Sequence, residues 1–184
     1  MANPVPVAFS AGSDGEWRID RVSPVIGASL APAQRLAVVE GPTAWQGGAG
    51  VWRLRGTTSN LRYTAADERD RLVAVQQGLG RPAATRAALI PIRKVEAWWD
   101  LPQDERRAIF EERSRHIAVG LKYLPAVARR LHHCRELGEA FDFLTWFEYA
   151  PPDADAFEEL VDALRATEEW RYVDREVDIR LSRE

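Results

Sequence analysis

Two residues of this sequence, His116 and Arg129, have types and positions that could do chemistry. His116 recurs at helical spacing with Ile109, Phe110 and Ile117, so its imidazole belongs to the buried face of a predicted helix. A histidine on such a face can hold an iron through one ring nitrogen while the other nitrogen donates a hydrogen bond. From the residues alone, a purely structural role stays open.

Arg129 alternates with Val127 and Leu131 on one face of a predicted strand. A cation among apolar neighbours needs a partner, because burying an unpaired charge is costly. That partner is either a carboxylate of the protein or an anionic substrate, and the residues leave both open.

Four further residues could support a metal-bound histidine or its cofactor. Glu168 and Glu169 end the last predicted helix, and a carboxylate there can accept a hydrogen bond from the nitrogen of histidine that does not bind the metal. Lys94 and Trp98 lie in the run KVEAWW and could hold acidic groups of a cofactor. Each residue also has a simpler explanation without function, as an exposed surface charge or as an aromatic ring that packs in the core.

The composition excludes several classes of protein. The chain has 184 residues, 46% of them hydrophobic, with a net charge of −3, which fits one compact domain and no basic footprint for nucleic acid. No stretch approaches the roughly 20 apolar residues of a membrane span. We find no secretory signal and expect a cytoplasmic protein. His132 and Cys134 share a strand face but lack the further ligands of a zinc site.

The hydrophobic pattern of the second half predicts strand, helix, strand, strand, helix, strand. These elements are predicted over residues 87–95, 100–120, 126–135, 141–149, 153–170 and 173–181. Asp100 is the predicted N-cap of the first helix, with Pro102 in its first turn and Gln103 as capping-box partner. Pro91 predicts an edge or a bulge in the strand that contains it.

The first half is predicted to be rich in strands. They cover residues 16–27, 35–39 and 51–63, and a helix follows over residues 65–78. This order suggests a second, reduced copy of the arrangement predicted for the second half.

Together these segments resemble the chlorite dismutase family, and most closely its shorter, dimeric branch. The motifs that carry the resemblance are SRHIAVGLKYLP, ARRLHHCREL and FDFLTWFEY, supported by IPIRKVEAWWDLP, ATEEWRYVDREVDIRL and VWRLRGTTSNLRYT. The resemblance implies one α+β domain over residues 1–184. Two ferredoxin-like halves, about 1–85 (reduced) and 86–184, would form a dimeric α+β barrel.

The resemblance further implies haem b in the second half and conversion of the anion chlorite to chloride and dioxygen. His116 would be the proximal iron ligand and Glu169 its acidic partner, with Lys94 and Trp98 near the propionates. The helical phase of the preceding residues instead turns Glu168 inward; we follow the family register.

On the distal side, the resemblance implies that Arg129 retains chlorite and hypochlorite, that Gln76 hydrogen-bonds this arginine, and that Leu124 lines the pocket. The alternatives are a haem carrier or sensor, a haem peroxidase, a coproheme decarboxylase and a domain without cofactor. No nucleic acid or membrane partner is expected.

Overall fold

The structure, a computed structural model, describes residues 4–48, 50–58 and 78–184. The predicted helix over residues 65–78 and the end of the predicted strand 51–63 fall almost entirely outside these residues. The eight described strands are β1 (Val5–Gly12), β2 (Trp17–Ile26), β3 (Arg35–Glu40), β4 (Trp52–Thr58), β5 (Arg86–Lys94), β6 (Ala128–His133), β7 (Phe143–Tyr149) and β8 (Val173–Ser182).

These strands close into an antiparallel barrel in the order β1-β3-β2-β8-β5-β7-β6-β4. The first four strands follow the order β4-β1-β3-β2, and the last four follow the equivalent order β8-β5-β7-β6. The two sets join where β2 pairs with β8 and where β4 pairs with β6. The barrel therefore consists of two strand sets with the same internal order.

The barrel has an apolar interior and an outer face that helices cover. Phe9, Trp17 and Trp146 pack together inside, with ring centroids 5.4–5.5 Å apart. Outside, Phe147 of β7 contacts Phe157 of the last helix, with centroids 5.3 Å apart. Since side chains alternate between the two faces of a strand, the outer face of β5–β8 is available for a site beneath the helices.

The described helices are α1 (Glu96–Asp100), α2 (Gln103–Arg107), a π-helical segment (Ala108–Arg113), α3 (His116–Lys122) and α4 (Ala154–Arg165). Short 3₁₀ turns lie at Pro42–Trp45, Arg135–Leu137, Pro151–Asp153 and Glu169–Tyr172. α4 packs through one face, on which Phe157, Leu160, Val161 and Leu164 are all buried. No helix within the described ranges has both the length and the apolar character to cross a membrane.

The prediction of one helix over residues 100–120 is wrong. Asp100 ends α1 instead of capping a helix, and Leu101 is extended, as expected for a residue before proline. A second break follows at Arg115, whose φ of 51° and ψ of 37° are left-handed. His116 consequently begins a new helix, α3, and does not lie deep within a long one.

Of the two alternatives predicted from Pro91, an edge strand or a bulge, the edge strand is wrong. β5 lies between β7 and β8, and Pro91 pairs with Leu144 of β7. The ladder to β8 passes directly from Leu89 to Ile92, so the proline occupies a gap in that ladder. The irregularity in this strand follows at residues 93 and 94, where the register with β8 shifts.

Candidate functional site

His116 is held from two sides at the start of α3. Its Nδ1 lies 2.9 Å from Oε2 of Glu169, and the ring of Phe110 stacks on the imidazole with centroids 4.4 Å apart. The histidine side chain is 19% exposed. When Nδ1–H donates to the carboxylate, Nε2 presents its lone pair, which is the form that binds a metal.

Glu169 reaches this histidine because α4 ends early. The helix stops at Arg165, and Glu169 begins a 3₁₀ turn in which its backbone N–H lies 3.0 Å from Oγ of Ser114. Glu169 is buried, whereas Glu168 is partly exposed and lies 3.4 Å from Arg113. Helical phase predicted that Glu168 points inward, but the chain leaves α-helical geometry before these two residues. This change explains why Glu169 is the buried one.

Lys94 completes a buried row of charges behind His116. Its Nζ lies 2.5 Å from Oε1 of Glu169 and 3.5 Å from the ring centre of Trp98. We had expected Lys94 near propionates; the structure brings its ammonium to Glu169 instead. The bulge at the end of β5 lies at this lysine.

These contacts determine the charge state of the carboxylate. Burial alone would raise the pKa of Glu169, but the charges of His116 and Lys94, and hydrogen bonds from both, lower it to about 2. Burial lowers the pKa of Lys94, against the opposing charge of Glu169. An ionised Glu169 is therefore a permanent acceptor for His116.

Trp98 offers a donor that the protein does not use. The residue is 1% exposed, and its Nε1 has no hydrogen-bond partner among the residues that the structure describes. A buried N–H without an acceptor is costly. A carboxylate of a bound cofactor, such as a haem propionate, would satisfy it, and a haem therefore fits the donors present here.

Arg129 belongs to the outer face of β6, where it pairs with Phe147. The arginine is half-buried, and its guanidinium lies against Gly120, one helical turn after His116 in α3. Burial lowers the pKa of Arg129, and the carboxylate of Glu111 opposes that change. Arginine stays cationic under such conditions because its usual pKa is so high.

The neighbouring residues of β6 lie on both faces of the strand. His132 points into the barrel against Phe9, with centroids 5.4 Å apart, and burial lowers its pKa to about 3. His133 lies on the opposite face against Phe143. Arg130 forms an ion pair with Glu40 at 2.6 Å.

The remaining predicted residues are placed less directly. Leu124 is half-buried in the connection between α3 and β6, and Gln76 lies outside the described residues. Sequence reasoning missed Ser114 and Gly120. Gly120 is the last residue of the predicted helix, where a glycine is an ordinary stop signal, so the sequence carried no sign of its contact with Arg129.

Comparison with known proteins decides the family. The family described as chlorite dismutase matches residues 52–184 of the chain. The chain belongs to the chlorite dismutase family. Its eight-stranded barrel with flanking helices is thus a chlorite dismutase fold.

Individual chlorite dismutases agree with this assignment. The solved structure of dimeric chlorite dismutases from Nitrobacter winogradskyi is 58% identical, covers 97% of this chain and 99% of that one, and has a TM-score of 0.90. A mutant chlorite dismutase from Candidatus Nitrospira defluvii is 19% identical with a TM-score of 0.68, a likeness of fold alone.

A chlorite dismutase from Ideonella dechloratans is 31% identical over 121 residues, or 65% of this chain. The match spans 40% of the length of that curated relative.

Proposed function

We propose that this chain is a haem b-dependent chlorite dismutase, which converts chlorite into chloride and dioxygen. Membership of the family supports the reaction. The observation that carries the proposal for this chain is the guanidinium of Arg129 lying against Gly120. Gly120 is one helical turn after His116, whose Nδ1 is already engaged by Glu169.

His116 would hold the haem iron through Nε2, and Trp98 would donate its buried N–H to a propionate. Bound haem would supply the redox chemistry that breaks Cl–O bonds and forms the O–O bond. Leu124 would line the distal side, and Gln76 would hydrogen-bond Arg129, as the family resemblance implies.

Glu169 and Lys94 act behind the histidine. The carboxylate accepts a hydrogen bond from Nδ1–H, which fixes the tautomer and orientation of His116 and raises the basicity of Nε2. Lys94 contacts the other oxygen of that carboxylate, and its positive charge keeps the carboxylate ionised. We therefore assign Lys94 to Glu169 and not to a propionate.

Arg129 would bind the substrate anion. A dry pocket disfavours a charged substrate, and a charge-assisted hydrogen bond from the guanidinium offsets that penalty. The same cation would retain the hypochlorite that remains after chlorite has lost one oxygen. The overall reaction, chlorite to chloride plus dioxygen, balances without an external electron donor.

We also propose that the two strand sets are ferredoxin-like halves, the first of them reduced, within a single domain over residues 1–184. The chain would form a homodimer, as the Nitrobacter winogradskyi structure does by its description. We propose a cytoplasmic location and no nucleic acid or membrane partner.

An oxygen electrode tests the proposed reaction. Chlorite added to the haem-loaded chain, with no reductant present, should yield one dioxygen per chlorite consumed. A Soret band with no oxygen release would contradict the proposal and would identify a haem carrier. Oxidation of an added donor without oxygen release would identify a peroxidase.

A further inference from the structure

Gly120 lies inside α3, where glycine does not favour helix stability. It is buried and lies four residues after His116. Glycine in a helix interior destabilises the helix relative to alanine, because it loses more conformational freedom on folding. Its helical backbone, unlike that of the glycines with positive φ, does not require glycine. Its presence therefore needs another physical reason.

The guanidinium of Arg129 occupies the place that a side chain at position 120 would need. A Cβ built on Gly120 would lie 2.5 Å from Nη1 and 2.6 Å from both Cζ and Nη2 of Arg129. Real Cβ atoms essentially never approach another heavy atom within 3.0 Å. The three similar distances show that the guanidinium as a whole, and not one of its nitrogens alone, fills the place of this Cβ.

Part of the charge environment of this position comes from the segment before α3. Oε2 of Glu111, in the π-helical segment, accepts a hydrogen bond of 3.1 Å from the backbone N–H of Ile117 in the first turn of α3. Burial disfavours the cationic form of Arg129, and the same carboxylate favours it. The π-helical segment therefore supplies a negative charge near the cation.

We propose that Gly120 is a positioning residue for Arg129. Because it has no side chain, it gives the guanidinium a fixed seat on the helix that carries His116. Four residues of helix separate the seat from His116 by about 6 Å along the axis. The role in catalysis rests on the function proposed above for Arg129, whereas the seat itself is a statement about packing.

The seat predicts that a methyl group at position 120 moves the guanidinium and leaves the helix intact. The end of an arginine side chain is flexible, so it yields before the backbone does. Anion binding should weaken, since a group displaced by about 1 Å from its productive position can lose on the order of 10²-fold in rate.

A double-mutant cycle on thermal unfolding of the full chain tests the seat. In the Arg129→Ala background, Gly120→Ala should raise Tm by about 2–4 °C, because alanine is the better helix former. With Arg129 present, the gain should shrink or reverse. Equal changes of Tm in both backgrounds would overturn the seat.

Ala118→Gly is the matched control, because Ala118 is exposed on the same helix. Its effect on Tm should be the same with either residue at position 129. Coupling as large as that of Gly120 would mean that Arg129 stabilises α3 generally, and the specific seat would be overturned.

Fluoride binding to the haem-loaded chain tests the positioning role separately. Gly120→Ala should raise the dissociation constant of fluoride on the order of tenfold, and Arg129→Ala should do the same, through loss of a charge-assisted hydrogen bond. Thermal coupling with unchanged fluoride affinity in Gly120→Ala would overturn the positioning role. Since the cycle needs no chlorite turnover, failure of the seat is distinguishable from failure of the proposed function.

Discussion

At the scale of single residues, one carboxylate organises the candidate site. Glu169 lies 2.9 Å from His116 and 2.5 Å from Lys94, and it is buried with both oxygens engaged. A buried carboxylate between a histidine and a lysine remains ionised, so it can hold the imidazole in one tautomer.

Replacing this carboxylate should weaken the cofactor site more than the fold. Glu169→Gln keeps the shape but removes the charge, and we expect haem affinity to fall by about 10- to 100-fold, as for other partners of metal-bound histidines. A haem titration followed at the Soret band measures it.

Glu168→Gln is the matched control for that experiment. Its side chain is partly exposed and lies 3.4 Å from Arg113, away from His116. Haem affinity should stay unchanged. If the two variants lost affinity equally, the assignment of Glu169 as the histidine partner would be wrong.

Sequence reasoning reached His116 and Arg129 as candidates, because helical and strand spacing give the face of each residue. It could not choose between Glu168 and Glu169 from phase, since the chain leaves α-helical geometry after Arg165. It also could not reveal that Gly120 accommodates a guanidinium, because that contact joins a helix to a strand through packing.

At the scale of elements, breaks in the helical chain place His116. The π-helical segment ends at Arg113, and the left-handed Arg115 separates it from α3, which begins at His116. The single long helix expected from the sequence would have continued its direction through these residues. Periodicity alone carries no signal for such a break, since the apolar spacing persists across it.

A buried charge network fastens α4 to β8. Asp178 accepts hydrogen bonds from Arg180 and, at 3.0 Å, from Arg165 of the helix. Arg165 also binds Glu176 at 2.6 Å, and Glu176 accepts the indole N–H of Trp170 beside Glu169. The network therefore steadies the turn that carries Glu169.

Removing one charge of this network should destabilise the protein. Burial raises the pKa of Asp178, but Arg180 and Arg165 outweigh it and lower the value overall. We expect Asp178→Asn to cost about 3 kcal/mol at neutral pH, because it leaves buried cations undercompensated. Urea unfolding measures this free energy.

The pH dependence follows from the lowered pKa. The stabilising effect of Asp178 is fully present above its unfolded pKa, near 4, and is lost as pH falls through the lower folded value. The unfolding free energy of the parent should therefore drop more steeply than that of Asp178→Asn in this acid range.

Asp174→Asn, on the same strand, is the control for the network. Both side chains of its ion pair with Arg93 are exposed. Asp174→Asn should therefore lower the unfolding free energy by no more than about 1 kcal/mol. Equal losses of unfolding free energy in the two variants would count against the network. So would an equally steep fall of this free energy with decreasing pH in Asp178→Asn and in the parent.

At the scale of the whole molecule, barrel closure creates the outer face on which the site lies. The order of elements in the second half was predicted correctly from alternation and helical spacing. The closure of the barrel was not predicted, because the pairings of β2 with β8 and of β4 with β6 join residues far apart in sequence. β1 was missed altogether, although it forms a central strand of the first set.

The two strand sets have the same internal order, but they contribute unequally to the candidate site. The set β8-β5-β7-β6 carries Lys94 and Arg129 on β5 and β6, and His116 and Glu169 lie in its connections. The described part of the first set contributes none of the site residues. The described strands of this set complete the barrel.

Oxygen yield in two neighbouring arginine variants tests the central claim most directly. Arg129 is assigned to the substrate anion, whereas Arg130 pairs with Glu40 on the surface. With both variants haem-loaded, Arg129→Ala should lose about 10²-fold in the rate of oxygen release and bleach faster. Arg130→Ala should match the parent. Equal oxygen rates and yields from Arg129→Ala and the parent would contradict the account.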